Sequence, residues 1–204
     1  SYYQEDINRR MIDAKLVSDL RAQTGAGMMD AKKALEETAG DIEKAIVLLR
    51  ERGMAKAAKK ADRETHEGRV HSYTHANGKL GAMVEVLCET DFVARNEAFI
   101  GLCHDLALHV SASDPLYLTR ADVPMELVEK ERAIYTAEME GAGKPAEVIA
   151  KIVEGKLNKW YSEVVLMEQP FIKDEDKTIE EFLKEKIATL GENMQIRRFA
   201  RFSI

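Results

Sequence analysis

The stretch RVHSYTHANGKLGAMVEVLC, residues 69–88, holds two extended runs on either side of Asn77-Gly78. Asn-Gly between apolar-bearing runs is the strongest short-range hairpin signal. Upstream of Arg69 the apolar residues recur at helical spacing, so the period changes here. The second run, LGAMVEVLC, reads as a buried strand. Near the end of the chain GEN (191–193) makes a turn into MQIRRFARFSI, read as a third strand. Arg198 there alternates with Phe199 and Arg201 with Phe202, the pattern of a half-buried strand.

Helical spacing fills the interval between the second and third strands. A helix is expected from about Asp91 to Ala112, with Phe99, Leu102, Cys103, Leu106 and Val110 on one stripe and SDP closing it. Two more run from about Pro124 to Glu140 and from Pro145 to Met167, joined by GAGK, with the prolines at N1. Thr178 caps a last helix to Leu190. Upstream, residues 12–53 read as three short helices. Ile12, Leu16 and Leu20 mark the first, and Ala31, Ala34 and Leu35 the second. Ile42, Ala45, Ile46 and Leu49 mark the third, which Gly53 ends. Gly40 suits a helix stop and Asp41 an N-cap. MAKAAKKADRETHEG (54–68) reads as a helical or partly flexible linker, and its Lys56, Lys59 and Lys60 as a solvated face. Three strands with segregated helices predict an α+β fold with an antiparallel sheet.

Bulk properties narrow the function. The 204 residues are 45% hydrophobic and 32% charged, with a net charge of −6, which disfavours a general nucleic-acid binder. The longest apolar run, AIVLL, is far short of the roughly 18 residues of a membrane span. SYYQEDINRR has no apolar core for a secretory signal, and Cys88 and Cys103 lie in apolar contexts. A cytoplasmic protein with two buried free thiols is the expectation.

No chemical centre stands out. EGAGKPA lacks the spacing and the hydroxyl of a phosphate-binding loop, and TGAGMMD (24–30) has no strand before it; both read as helix–helix turns. His71 and His75 flank Tyr73 on one strand face without a third metal ligand at fitting spacing. His104 and His109 point to different faces of their helix. No nucleophile elbow or marked carboxylate pair is present. A protein of this kind works by binding and not as an enzyme, with no cofactor and no metal.

CETDFVARN (88–96) then poses a question. Thr90 or Asp91 is a good N-cap, so Phe92 sits in the first turn of a helix. There the ring is either a plug in the core or a wedge shown to a partner. Its spacing of seven from Phe99 favours the core. Met28 and Met29 raise the same choice: as neighbours they face different sides of a helix, so one can join the small core while the other is exposed.

Four segments together resemble the bacterial translation elongation factor Ts family. They are LRAQTGAGMMDAKKALEETAGDIEKAIVLLRERG (20–53), KAAKKADRETHEG (56–68), VEVLCETDFVARNEAF (84–99) and GENMQIRRFARF (191–202). They cover nearly the whole chain after Met11, in family order. TGAGMMDAKKAL and TDFVARN are specific as a pair, whereas the helical module alone would match any ubiquitin-associated-like domain.

The resemblance implies a division into an N-terminal extension or tag at 1–10, a ubiquitin-associated-like module at 11–54, a linker at 55–68 and an α+β core at 69–204. The core includes a helical hairpin at about 124–167. Met11 is then the expected native start. It also implies a guanine-nucleotide exchange factor for the GTPase elongation factor Tu. Thr90, Asp91, Phe92 and Val93 would contact the GTPase near its Mg2+, with Phe92 as a wedge that helps dislodge the ion. Met28, Met29 and Lys33 would meet a helix of the same partner. Longer family members carry a duplicated core, and this chain has room for one copy, so a homodimer is expected, giving a 2:2 complex with the GTPase. Val70, Met83, Val84 and Val86, with Phe199 and Phe202, would form its interface. Two rival readings are a peptide-binding adaptor built on the helical module, and a metal-dependent hydrolase built on His71, His75 and Cys88.

Overall fold

The computed structural model describes residues 12 and 14–204. The expectations for residues 1–10 and for Met11 lie outside the described residues. The chain begins with α1 (Ala14–Thr24), α2 (Met28–Glu37) and α3 (Ile42–Ala58). Their shared core is small: Val17, Leu20, Ala31, Ala34, Leu35 and Ala45 are buried, with Ile12, Leu16, Ile42, Ile46 and Leu49 packed around them. Alanine at the crossings lets the helices approach closely. The step between α2 and α3 is where the residues TAGD put it. Gly40 takes φ 83°, its N–H donates to the Leu35 carbonyl, and the Asp41 carboxylate accepts from the Lys44 N–H at 3.0 Å.

Gly53 does not end α3, contrary to expectation. The helix runs on to Ala58, and Ala57 is buried in the main core. Gly53 lies inside the continuing helix, where a Cβ would stand in ordinary contact, 3.6 Å from the Ala188 Cβ. The segment expected as a linker therefore starts as helix. Lys56 is paired with Asp30 at 2.7 Å, and Arg50 ties α3 to Glu181.

The main sheet is β1 (Glu67–Thr74), β2 (Leu80–Cys88) and a C-terminal strand (Met194–Ser203, β5 below), ordered β1-β2-β5 and antiparallel throughout. The hairpin turns at Asn77-Gly78, with Gly78 at φ 67° and the His75 N–H bonded to the Leu80 carbonyl. Gly68 is obligatory for another reason: a Cβ there would come within 2.3 Å of the Val86 carbonyl oxygen across the strand pair. A bulge opposite Glu85 and Val86 inserts Arg197, so Ile196 and Phe199 both turn to the core side. Ala82, Val84, Val86 and Cys88 are buried on that side, with Phe99, Leu102, Cys103, Leu106 and Val110. The opposite face of the sheet exposes Val70, Met83 and Phe202.

Two helices stand in place of the one expected over 91–112. A single turn, α4 (Asp91–Ala94), is followed by α5 (Glu97–Ser113), and Asn96 caps the second by accepting from the Ala98 N–H at 2.8 Å. The helical hairpin is α6 (Met125–Glu138) and α7 (Ala146–Val164), with Pro124 and Pro145 one position earlier than expected, as N-caps. Val123, Val128, Val165, Trp160 and Tyr161 pack at its base. Between it and α8 (Ile179–Leu190) lies a ribbon the periodicity did not reveal, β3 (Pro170–Phe171) with β4 (Asp174–Thr178). It places Phe171 in stacking contact with Phe182, ring centroids 4.2 Å apart. Thr178 caps α8 as expected, within a reciprocal capping box with Glu181. The fold is α+β, with one more small sheet than the three strands foreseen. Among the described residues no helix is long and apolar enough to cross a membrane.

Candidate partner-binding site

The turn after β2 is built so that its aromatic residue points outward. Thr90 is the N-cap in extended conformation, and its hydroxyl oxygen accepts from the Val93 N–H at 3.4 Å. With the start fixed, successive side chains fan out at about 100° steps. Ala94 is buried and Val93 packs half-buried on the main core. Phe92 is then left on the solvent side, 83% exposed. Asp91 beside it is paired with Arg95 at 2.9 Å. The core position suggested by the spacing to Phe99 is not taken. The break at Arg95-Asn96 resets the helical phase, so the seven-residue interval does not carry one face from Phe92 to Phe99, which is wholly buried.

Met28 and Met29 are both exposed, at 60% and 64%, so neither joins the small core. They occupy the first two positions of α2, whose inward residues Ala31, Ala34 and Leu35 come later. Lys33 lies one turn after Met29 and is exposed as well. Among the described residues, Met28 and Met29 on α2 and Phe92 on α4 thus expose apolar side chains on two separate elements.

Sequence reasoning missed the residues that hold α4. Glu192 and Asn193, read only as a turn, converge on it. One Glu192 oxygen accepts from the Glu89 and Thr90 N–H groups at 3.1 and 3.0 Å, and the other from the Thr90 hydroxyl at 2.6 Å. Asn193 is buried; its N–H donates to the Glu89 carboxylate at 2.6 Å. Its side-chain amide donates to the carbonyls of Ala61 and Arg63. An acid and an amide directly after a helix-ending glycine were the available signal.

The histidines of this region lie in polar pairs. His71 Nε2 lies 3.4 Å from His104 Nδ1, and the Tyr73 hydroxyl 3.1 Å from His75 Nδ1, a polar seam between β1 and α5. Burial, His104 and Arg69 hold the His71 pKa below its ordinary value. Cys88 pairs in register with Glu67, away from His71 opposite Val84. Burial, helped by the charge of Glu192, pushes its thiol up to about 11, and burial pushes Cys103 up to about 12, so neither is a ready thiolate ligand. Among the described residues no group of three or more His, Cys, Asp or Glu is placed to hold a metal. The strand arginines are engaged with the protein itself. Arg197 and Arg198 pair with Glu85, and Arg201 bonds the Ser111 carbonyl and Asp114.

Comparison with known proteins adds a lineage to this geometry. The family model described as Elongation factor TS matches residues 5–189. Elongation factor Ts of Citrifermentans bemidjiense is 56% identical over 191 residues, 94% of this chain and 88% of that protein. That of Thermosipho melanesiensis is 56% identical over 95% of this chain and 99% of its own, and that of Coprothermobacter proteolyticus 53% over 95% and 98%. Identity at this level, carried along nearly all of both chains, means that this protein belongs to the elongation factor Ts family of translation factors.

Proposed function

We propose that this protein is a guanine-nucleotide exchange factor for elongation factor Tu. It binds the GDP-bound GTPase, dislodges the partner's Mg2+ with the Thr90–Asp91–Phe92–Val93 turn, promotes GDP release, and is displaced when GTP binds. The observation that carries this reading is Phe92: a ring 83% exposed on a turn whose next two residues are anchored in the core. Met28, Met29 and Lys33 supply a second contact, where flexible thioethers suit an adaptable surface. The protein itself is not an enzyme; it works by differential binding in the cytoplasm. Burying the Phe92 ring is worth roughly 1.5–3 kcal/mol, and each 1.36 kcal/mol off a barrier is about tenfold in rate. By linkage, GDP weakens the factor as much as the factor weakens GDP. The functional unit is a homodimer that joins two GTPases. Release of a fluorescent GDP from elongation factor Tu tests the reading: sub-stoichiometric protein accelerates it, and an unchanged rate at saturating protein refutes exchange activity.

A further inference from the structure

Building on the exchange reading, we propose that Glu192 is the positioning residue for Phe92, its carboxylate setting the direction in which the ring projects. The turn that carries Phe92 is only four residues long, Asp91–Ala94. A single turn lacks the internal bonds to hold itself, since helix nucleation is unfavourable in isolation. Its own bonds are few: the Ala94 and Arg95 N–H groups to the Thr90 and Asp91 carbonyls, both at 3.1 Å, the Asn96 N–H to the Val93 carbonyl at 2.9 Å, and the exposed Asp91–Arg95 ion pair. The remaining constraint comes from outside. Val93 and Ala94 hold the inner side of the turn by packing on the core.

Glu192 holds its start. One oxygen takes the Glu89 and Thr90 N–H groups together, and the other takes the Thr90 hydroxyl hydrogen. That last bond at 2.6 Å fixes the hydroxyl rotor. A hydroxyl has one hydrogen, and giving it to Glu192 turns a lone pair toward the Val93 N–H, which is the N-cap bond of the turn. Bonds to a carboxylate are the stronger kind, so this grip is firm.

The grip also reaches further along the chain. Gly191, at φ 82°, ends α8 and swings Glu192 and Asn193 beneath the turn. Asn193 clasps Glu89 on one side and the Ala61 and Arg63 carbonyls on the other. Two adjacent residues thus tie the aromatic turn to the segment that follows α3.

The test uses the full chain and three readouts. Titrating release of fluorescent GDP from elongation factor Tu gives a maximal rate and a half-saturating concentration. Amide hydrogen exchange reads Glu89 and Thr90 separately from β1 and β2, and thermal melting reads the fold. In Glu192→Ala the maximal rate drops by about tenfold or more while the half-saturating concentration moves by less than about twofold, because α2 still binds. The Glu89 and Thr90 amides lose protection and the sheet amides keep theirs. Glu192→Gln keeps one acceptor oxygen for the two N–H groups and regains part of the rate.

A Glu192→Ala maximal rate within about twofold of wild type, or a loss matched by lost protection across the sheet, overturns the assignment. Should Glu192→Ala not fold, Glu192→Gln decides: it must lower rate and turn protection together, or the assignment falls. A wild-type protein that leaves GDP release at its intrinsic rate overturns the exchange reading itself, and with it the role Glu192 would serve.

Discussion

Phe92 and Phe99 are the same residue type seven positions apart, yet one is 83% exposed and the other wholly buried. The difference predicts opposite mutational behaviour. Phe92→Ala removes a side chain that touches little of its own protein, so unfolding free energy should move by no more than about 0.5 kcal/mol. Its coupling to the GTPase should fall by about 2–4 kcal/mol, as for a hot-spot aromatic. Phe99→Ala should instead cost about 3–5 kcal/mol of stability. Denaturant melts alongside nucleotide-release rates separate the two quantities. If Phe92→Ala melts like Phe99→Ala while its folded fraction exchanges normally, the wedge is excluded. Sequence spacing made the two phenylalanines look alike because it carries helical phase unbroken through Arg95-Asn96.

Between elements the most informative group is His109, which joins α5 to the ribbon and to the end of α7. It is buried; its Nε2 lies 3.0 Å from Gln169 Oε1, and its Nδ1 accepts from the Ile172 N–H at 3.2 Å. Gln169 in turn donates to the Ser113 and Glu163 carbonyls. An accepting Nδ1 fixes the neutral tautomer, with Nε2–H as donor. Burial holds the His109 pKa below its ordinary value, although the bond to Gln169 pulls the other way. Above an unfolded pKa of about 6.5 both states are neutral and the stability is fully present. As pH falls below that, the unfolded chain takes up the proton first, and stability declines until the folded pKa is passed. His71, also depressed, adds a slope of the same sign. Urea midpoints should therefore drop between pH 7 and pH 5, and His109→Gln should flatten that slope. An unaltered slope in the variant would assign the pH dependence elsewhere. Neither the ribbon nor this bridge is legible in the sequence, because β3 is two residues long and its partner strand DEDKT is almost wholly polar.

At the scale of the whole molecule, the described residues cover one face of the sheet. Val84 and Val86, expected at a dimer interface, lie under α5, and the bulge turns Phe199 inward with them. What remains for a second copy is Val70, Met83 and Phe202, 58%, 50% and 77% exposed, with Glu85 and its arginines in the same layer. A twofold contact uses one patch against itself, and these three exposed apolar side chains on one face offer such a patch. Sedimentation equilibrium at micromolar concentration should give about twice the 23.0 kDa chain mass, and Phe202→Glu should return it to one chain. A wild-type mass of one chain, unchanged by concentration or by added elongation factor Tu, would exclude the dimer.

The sequence by itself determined the elements whose signals are local. The Asn77-Gly78 hairpin, the Gly40-Asp41 step, the Thr178 cap and the stripe from Phe99 to Val110 each rest on residues within a turn or two of one another. It also carried the family, because TGAGMMD and TDFVARN are specific as strings. Only tertiary structure decided what lies between elements. Gly53 reads as a stop until α3 is seen to run on to Ala57 in the main core, and Met28 and Met29 read as half-core until α2 is seen to start beyond its packing. Glu192 reads as a turn residue until the fold brings it to Thr90, 102 positions earlier. Backbone preference acts over a few residues and is written into them. The direction of Phe92 depends on a distant carboxylate, Glu192, which accepts the Glu89 and Thr90 N–H bonds just before its turn, and that contact forms only when β5 lies beside β2.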